Sequence, residues 1–287
     1  MKHPFRLIDL TTFKKVSSLL AGNYKTSFHG SGVEFADIRE YSLGDDTADI
    51  DWKTSARTGK VYIKKYEEDR ERKVLFVVDV GSSMRFGNGD KTKEDTLREV
   101  FSVLLFSSAQ NNDPIGAWFF TDIMEKTHKR EKGMQHVQKI HEDFEVLLAK
   151  ENQRGESSLP LAIENLCQKR IRNHLIFIFS DSLELPRESH FRSLAEQNDC
   201  VFVHVFDTFE NTLIGSSKHI IQSKIGIFLD TTDEQKQRRY VQERGAELEH
   251  FRHIVTRLGG SYLMLDETKN VYKELFLFFK KRQGKGL

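Results

Sequence analysis

Val74-Leu75-Phe76-Val77-Val78 is an unbroken apolar run that delivers Asp79 to a small-residue turn, Gly81-Ser82-Ser83. A run of this length without polar alternation fits a strand buried on both faces. Three further stretches repeat the design. Ile115 to Phe120 leads to Thr121-Asp122, Leu175 to Phe179 leads to Ser180-Asp181, and Cys200 to Phe206 leads to Asp207. Between them lie segments with helical spacing, over 97–109, 134–150 and 159–169, the last opened by Ser157 and Ser158 as capping residues. Buried strands alternating with helices predict an α/β fold, a doubly wound, mainly parallel sheet covered on both faces. In such folds ligands sit at the carboxyl ends of the strands. Here that edge collects Asp79, Asp122, Asp181 and Asp207.

Working outward, Ile225 to Leu229 reads as a fifth strand and Tyr262 to Leu265 as an edge strand. Gln235 to Leu258 reads as a long charged helix, and Val271 to Lys281 as a closing amphipathic one. The basic tail Lys280-Lys281-Arg282-Gln283-Gly284-Lys285 reads as a solvated end. On the amino-terminal side, Leu7, Leu10, Phe13, Val16, Leu19 and Leu20 have helical spacing, closed by Gly22-Asn23. Residues 26–60 read as a loop-rich extension punctuated by Gly30, Gly32, Gly44 and Gly59, and Val61-Tyr62-Ile63 reads as a short strand. Charge is polarised here: seven acids and one Arg between Glu34 and Asp51, then five bases and no acid from Lys53 to Lys65. The expected division is an amino-terminal segment, 1–72, ahead of the sheet domain, 73–287.

Global properties remove several function classes. A net charge of +1 in 287 residues gives no general attraction to nucleic acid or anionic lipid. No apolar run nears the ~18 residues of a membrane span. Met1-Lys2-His3-Pro4-Phe5-Arg6 lacks the apolar core of a leader, so the expected location is cytoplasmic. Cys167 and Cys200 each lie among apolar residues, outside any metal spacing, and read as buried free thiols.

Common catalytic signatures are missing. There is no nucleophile elbow and no phosphate-binding Gly-Lys-Ser/Thr loop. Gly87-Asn88-Gly89-Asp90-Lys91-Thr92 reads as a plain turn, and Lys126 to Lys132 as a solvated basic loop without interleaved aromatics. His136 and His141, and His250 and His253, lack the spacing or the third ligand of a zinc site. The acidic stretch Asp45 to Asp51 lacks an EF-hand pattern and is expected to pair with the neighbouring bases or lie solvated. Trp52 is expected to anchor that loop by packing, although tryptophan is also enriched at interfaces.

The block Gly30-Ser31-Gly32-Val33-Glu34-Phe35, Arg39-Glu40-Tyr41, Gly44-Asp45-Asp46, Ile50-Asp51-Trp52-Lys53 and Ser55-Ala56-Arg57 resembles the signature of the bacterial family known as domain of unknown function 58. Asp207-Thr208-Phe209-Glu210, Asp230-Thr231-Thr232-Asp233 and Arg239-Tyr240 are similar to it as well. The resemblance implies a von Willebrand factor A-like domain working beside a MoxR-type AAA+ ATPase. It also implies a metal-ion-dependent adhesion site, in which hydroxyls and carboxylates from three loops hold Mg²⁺ and a partner's acidic group completes the shell. Asp79, Ser83, Ser157 and Asp181 match that site, whereas Gly81 lacks the expected hydroxyl. The implied Mg²⁺ binding is weak. Without an ion, Asp79, Ser83 and Asp181 would cap helices and hydrogen-bond one another. The expected function is a non-enzymatic protein-interaction module that helps assemble or mature a client complex. Its interaction candidates include Trp52 and Arg57. The alternative is a metal-dependent hydrolase using Asp79, Asp122 and Asp181.

Overall fold

The computed structural model describes residues 34–283, apart from 43–44, 46, 48–49, 68–72, 88–90, 151–154, 185–186, 213–219, 223–227 and 231–233. The expected helix over 5–21, the Gly30 to Val33 opening of the family-like block and most of Asp230 to Asp233 lie outside the described residues. The described residues fall into two compact units, one within Thr26–Arg72 and one from Lys73 onward.

In the smaller unit, β1 (Glu34–Glu40) and β2 (Tyr62–Glu67) form an antiparallel pair, with α1 (Trp52–Thr58) between them in sequence. Within the loop-rich segment the sequence reading did not single out β1 or α1. The local chemistry explains the helix. Asp51 caps it, its carboxylate accepting from the Lys53 and Thr54 amides at 3.1 Å each. Gly59 ends it in the left-handed conformation, φ 75°. Ser55 Oγ accepts from the Tyr62 amide at 2.8 Å, tying α1 to β2. Asp45 pairs with Arg39 at 2.6 Å, and Glu40 with Lys60 at 2.6 Å. Trp52 is 70% exposed, so it does not anchor the loop by packing.

The larger unit is built on β3 (Lys73–Asp79), α2 (Lys93–Gln110), β4 (Ile115–Phe120), β5 (Met124–Glu131), α3 (Met134–Leu148), α4 (Leu159–Gln168) and β6 (His174–Ser180). It continues with α5 (Glu188–Gln197), β7 (Asp199–Phe206), α6 (Thr208–Thr212), β8 (Ile220–Gln222), β9 (Phe228–Asp230), α7 (Glu234–Arg257), β10 (Ser261–Asp266) and α8 (Val271–Gln283). Six strands form one sheet in the order β5-β4-β3-β6-β7-β10, parallel except for β5. This is the doubly wound order, with its switch point between β3 and β6. The expected α/β fold is present.

Alternation along the strands assigns the two faces. Phe76, Val78, Phe119, Phe177 and Val203 point to one side, where Leu97, Val100 and Phe101 of α2, Phe144 of α3 and Leu275 of α8 cover them. Leu75, Val77, Trp118, Ile176 and Phe202 point to the other, beneath Ile163 of α4, Phe191 of α5 and Val255 of α7. Phe76 sits at the centre of the first layer, 5.5 Å from both Phe101 and Phe177. Every side chain of the two central strands from Val74 to Asp79 and from His174 to Ser180 is buried, which their unbroken apolar runs anticipated.

Two sequence expectations need correction. Lys126 to Lys132 is mostly strand, not loop: β5 folds back antiparallel on β4 as the sheet's edge. Of the strand expected over Ile225 to Leu229, residues 225–227 lie outside the described residues, and Phe228–Asp230 pairs not with the main sheet but with β8 in a separate two-stranded ribbon.

Candidate functional site

Asp79 ends β3 and Ser180 ends β6, so the two strands flanking the switch point place Asp79, Ser180 and Asp181 together at the carboxyl edge. Asp79 is fully buried. Its Oδ1 accepts from the Gly81 amide at 2.9 Å, and its Oδ2 accepts from Ser180 Oγ at 2.7 Å and from Ser157 Oγ. Burial pushes the Asp79 carboxyl up to about 6, with the Asp181 charge adding to the effect and these hydrogen bonds opposing it.

Asp181 accepts from Ser83 Oγ at 3.0 Å on Oδ1. Its Oδ2 accepts from Lys93 Nζ at 2.7 Å, and the same ammonium reaches Glu210 Oε1 at 2.7 Å. Lys93 is 1% exposed, and its ammonium also lies 5.4 Å from the centre of the Phe86 ring. Burial opposes the charged form of both partners. At Asp181 the Lys93 charge outweighs it and holds the carboxyl below its ordinary range. At Lys93 the two carboxylates outweigh it and hold the amine above.

The local sequence delivers each of these groups. Thr92 and Asp95 form a reciprocal capping box that starts α2 and fixes Lys93 as its first helical residue. The Lys93 amide donates to Phe86 O at 3.0 Å. Asp207 accepts from the Phe209 amide at 2.8 Å and opens α6, which carries Glu210 toward Lys93. Phe209 stacks on Phe86 at 6.4 Å. Asp207-Thr208-Phe209-Glu210 is therefore a short cap that presents one carboxylate.

The four residues expected to form one site thus appear as two bonded pairs, Asp79 with Ser157 and Ser83 with Asp181, coupled through the Asp79 and Asp181 charges. One expectation is corrected: Ser158 makes no side-chain cap to α4, and Ser157 turns to Asp79. The Asp79 side chain is buried and that of Asp181 is 10% exposed. Asp122 is exposed and accepts from Thr121 Oγ1 at 3.1 Å. Asp266 ends β10 and adds a fifth carboxylate to the edge.

Sequence reasoning missed Lys93 and gave Glu210 no role. A signal existed. A lysine at the first turn of a helix stands at the positive end of its dipole, where cations are disfavoured. A local rule broken in this way marks a site whose partners come from elsewhere.

The donor set does not fit a bare divalent cation. Position 81 has no hydroxyl. The hydroxyls of Ser83, Ser157 and Ser180 donate to carboxylates. An ammonium already neutralises Asp181. Among the described residues no group of three or more His, Cys, Asp or Glu is arranged to hold a metal.

The sheet order and the loops at its carboxyl edge define a doubly wound, Rossmann-type α/β domain. The family profile described as "Protein of unknown function DUF58" matches residues 37–250, and the chain belongs to that family. It is similar to uncharacterized proteins of Mycobacterium tuberculosis and Mycobacterium bovis, 26% identical over 204 residues, which is 70% of this chain. The match covers 64% of those relatives, less than two thirds of their length. Among solved structures, it is similar to an aerotolerance-related membrane protein from Bacteroides fragilis, at 14% identity and a TM-score of 0.44, covering 73% of this chain and 99% of that one. It is also similar to the Rpn10 VWA domain, at 14% identity and a TM-score of 0.39, covering 72% of this chain and 94% of that one. Among the described residues no helix is long and apolar enough to cross a membrane.

Proposed function

We propose that this protein is a non-enzymatic interaction module that docks a protein partner at the carboxyl edge of its sheet. The partner suggested by the family resemblance is a MoxR-type AAA+ ATPase in the cytoplasm, and the pair would serve assembly or maturation of a client complex. The observation that carries the reading is the division of labour at that edge. The buried carboxylates are spent on internal donors, while the loops that hold them present an exposed rim.

That rim is continuous. The Ser82 amide donates to Gly155 O at 3.0 Å, and the Ser158 amide to Thr121 O at 3.1 Å, linking three loops. Gly155 packs so closely on Asp122 that an added Cβ would fall 1.9 Å from its Oδ1. Ser82, Asp122, Ile123 and Glu156 are exposed on these loops. Ile123, 57% exposed, offers an apolar contact between acids. An acidic rim with one apolar knob suits a partner surface with basic side chains around a small apolar pocket.

A second reading places the docking face on the smaller unit, where Trp52 is 70% exposed and Arg57 is exposed on the same short helix. The hydrolase alternative is weaker, because Lys93 and the serines already engage Asp79 and Asp181. Binding of the full chain to a purified MoxR-type ATPase, read by biolayer interferometry, tests the proposal. Ile123→Ser with Asp122→Lys should weaken binding at least about tenfold, in line with loss of an interface hot spot. Normal binding by that variant, with loss on Trp52→Ala or Arg57→Ala, would move the interface to the smaller unit. No binding by any form would remove the ATPase as partner.

A further inference from the structure

Lys93 is the unusual member of the carboxyl-edge cluster. It is 1% exposed, stands at the first turn of α2 and reaches carboxylates 88 and 117 residues away in sequence. A buried ammonium in an apolar surround is costly unless paired and hydrogen-bonded. Here two carboxylates pair with it, and the Phe86 ring faces it. We infer that the Lys93 ammonium is the site's built-in cation: it does the charge-neutralising work of a divalent ion between Asp181 and Glu210, and its presence makes the site refuse Mg²⁺ and Mn²⁺.

Three observations support this. The residue whose hydroxyl a metal site would need is Gly81, and a Cβ there would fall 3.0 Å from both Asp79 Oδ1 and the Ser157 amide nitrogen. The loops thus approach so closely that a side chain at that position would have to push the Asp79 carboxylate and the Ser157 backbone aside. Ser83 and Ser157 act as donors to carboxylates, the role a preassembled hydrogen-bonded cluster requires. Finally, a tethered ammonium offers only donors, so it satisfies carboxylates but cannot ligate a partner's acid through an open coordination position. Docking at this edge would then be independent of metal. The inference itself holds whether or not a protein docks here.

The test uses Mn²⁺ alone with the full chain. Electron paramagnetic resonance of Mn²⁺ titrated to about 10 mM, beyond the range of weak oxygen-ligand sites, should show no bound fraction in the native protein. Lys93→Met removes the charge and leaves Asp181 and Glu210 facing one another without a cation. This variant should gain Mn²⁺-dependent thermal stabilisation of roughly 3–6 °C at a tenfold excess over its dissociation constant. Adding Asp181→Asn should abolish that gain. Lys93→Gln, which keeps a neutral donor, gives the same readout in a variant less prone to misfold. Millimolar or tighter Mn²⁺ binding by the native protein that is lost on Asp181→Asn would overturn the inference. So would Lys93→Met and Lys93→Gln proteins that fold and remain blind to Mn²⁺.

Discussion

Replacing Lys93 by methionine keeps most of the apolar stem and deletes two charge-assisted hydrogen bonds of 2.7 Å. Each such bond contributes about 1.5–3 kcal/mol. The larger effect is what remains. Asp181, 10% exposed, would keep its charge beside buried Asp79 with no cation in contact, and breaking a buried pair in this way costs roughly 3–5 kcal/mol. Two corrections act the other way. Glu210 is 20% exposed and can turn to water, and removing a cation from the helix amino terminus recovers about 0.3–1 kcal/mol. The net expectation is a loss of about 3 kcal/mol, or roughly 6–12 °C in Tm for a unit of this size. Guanidinium unfolding followed by circular dichroism should show a lower midpoint at unchanged slope. Adding Asp181→Asn should restore about half of the loss, because the stranded charge goes with its partner. A single variant within about 1 kcal/mol of the native protein, or a double variant no better than the single, would refute this reasoning.

Three further outcomes follow from the packing and the buried groups. Phe76→Ala should cost about 3–5 kcal/mol in the same assay, since the ring is fully buried against Phe101 and Phe177. Gly81→Ser should destabilise by about 1–3 kcal/mol, because the new Cβ meets the Ser157 backbone at 3.0 Å and 3.1 Å and the Asp79 carboxylate at 3.0 Å; an unchanged midpoint would show the loops can part. Acid should destabilise the fold between about pH 6.5 and 4. Burial lowers His174 to about 4 and His204 to about 3, so both are neutral when folded, and their stabilisation is present above 6.5 and lost as pH falls. Asp79 has the opposite sign: raised to about 6, it favours folding most below its ordinary value and less as pH rises. At about 1.4 kcal/mol per pH unit the two histidines outweigh it, so a chemical-denaturation midpoint that rises on acidification through this window would contradict the assignment.

How much of this could be read from the sequence depended on where each residue's partners lie. The central strands were legible because burial on both faces leaves an unbroken apolar run, as in Leu175 to Phe179. β5 was hidden because it is an edge with one face in water: Glu125 to Glu131 is almost wholly charged, and only His128 turns inward. α1 was hidden because its stability lies in caps, Asp51 before and Gly59 after, rather than in an apolar stripe. At the site, Asp79 and Asp181 were legible as acids ending buried strands. Their state was not. The Lys93 that pairs with Asp181 lies 88 residues away, and Glu210 arrives only because Asp207 caps a five-residue helix. The burial of these acids is not legible from sequence position, because it depends on the capping box at Thr92 and Asp95 that sets Lys93 at the start of α2 beside them.

The most direct test of the account is a crystal structure of the native protein grown with Mn²⁺, analysed by anomalous scattering at the manganese edge. The account predicts no anomalous peak at coordination distance from Asp79, Ser83, Ser157 or Asp181, with Lys93 Nζ bridging Asp181 and Glu210. A manganese peak among those oxygens, with the Lys93 side chain turned away, would contradict it.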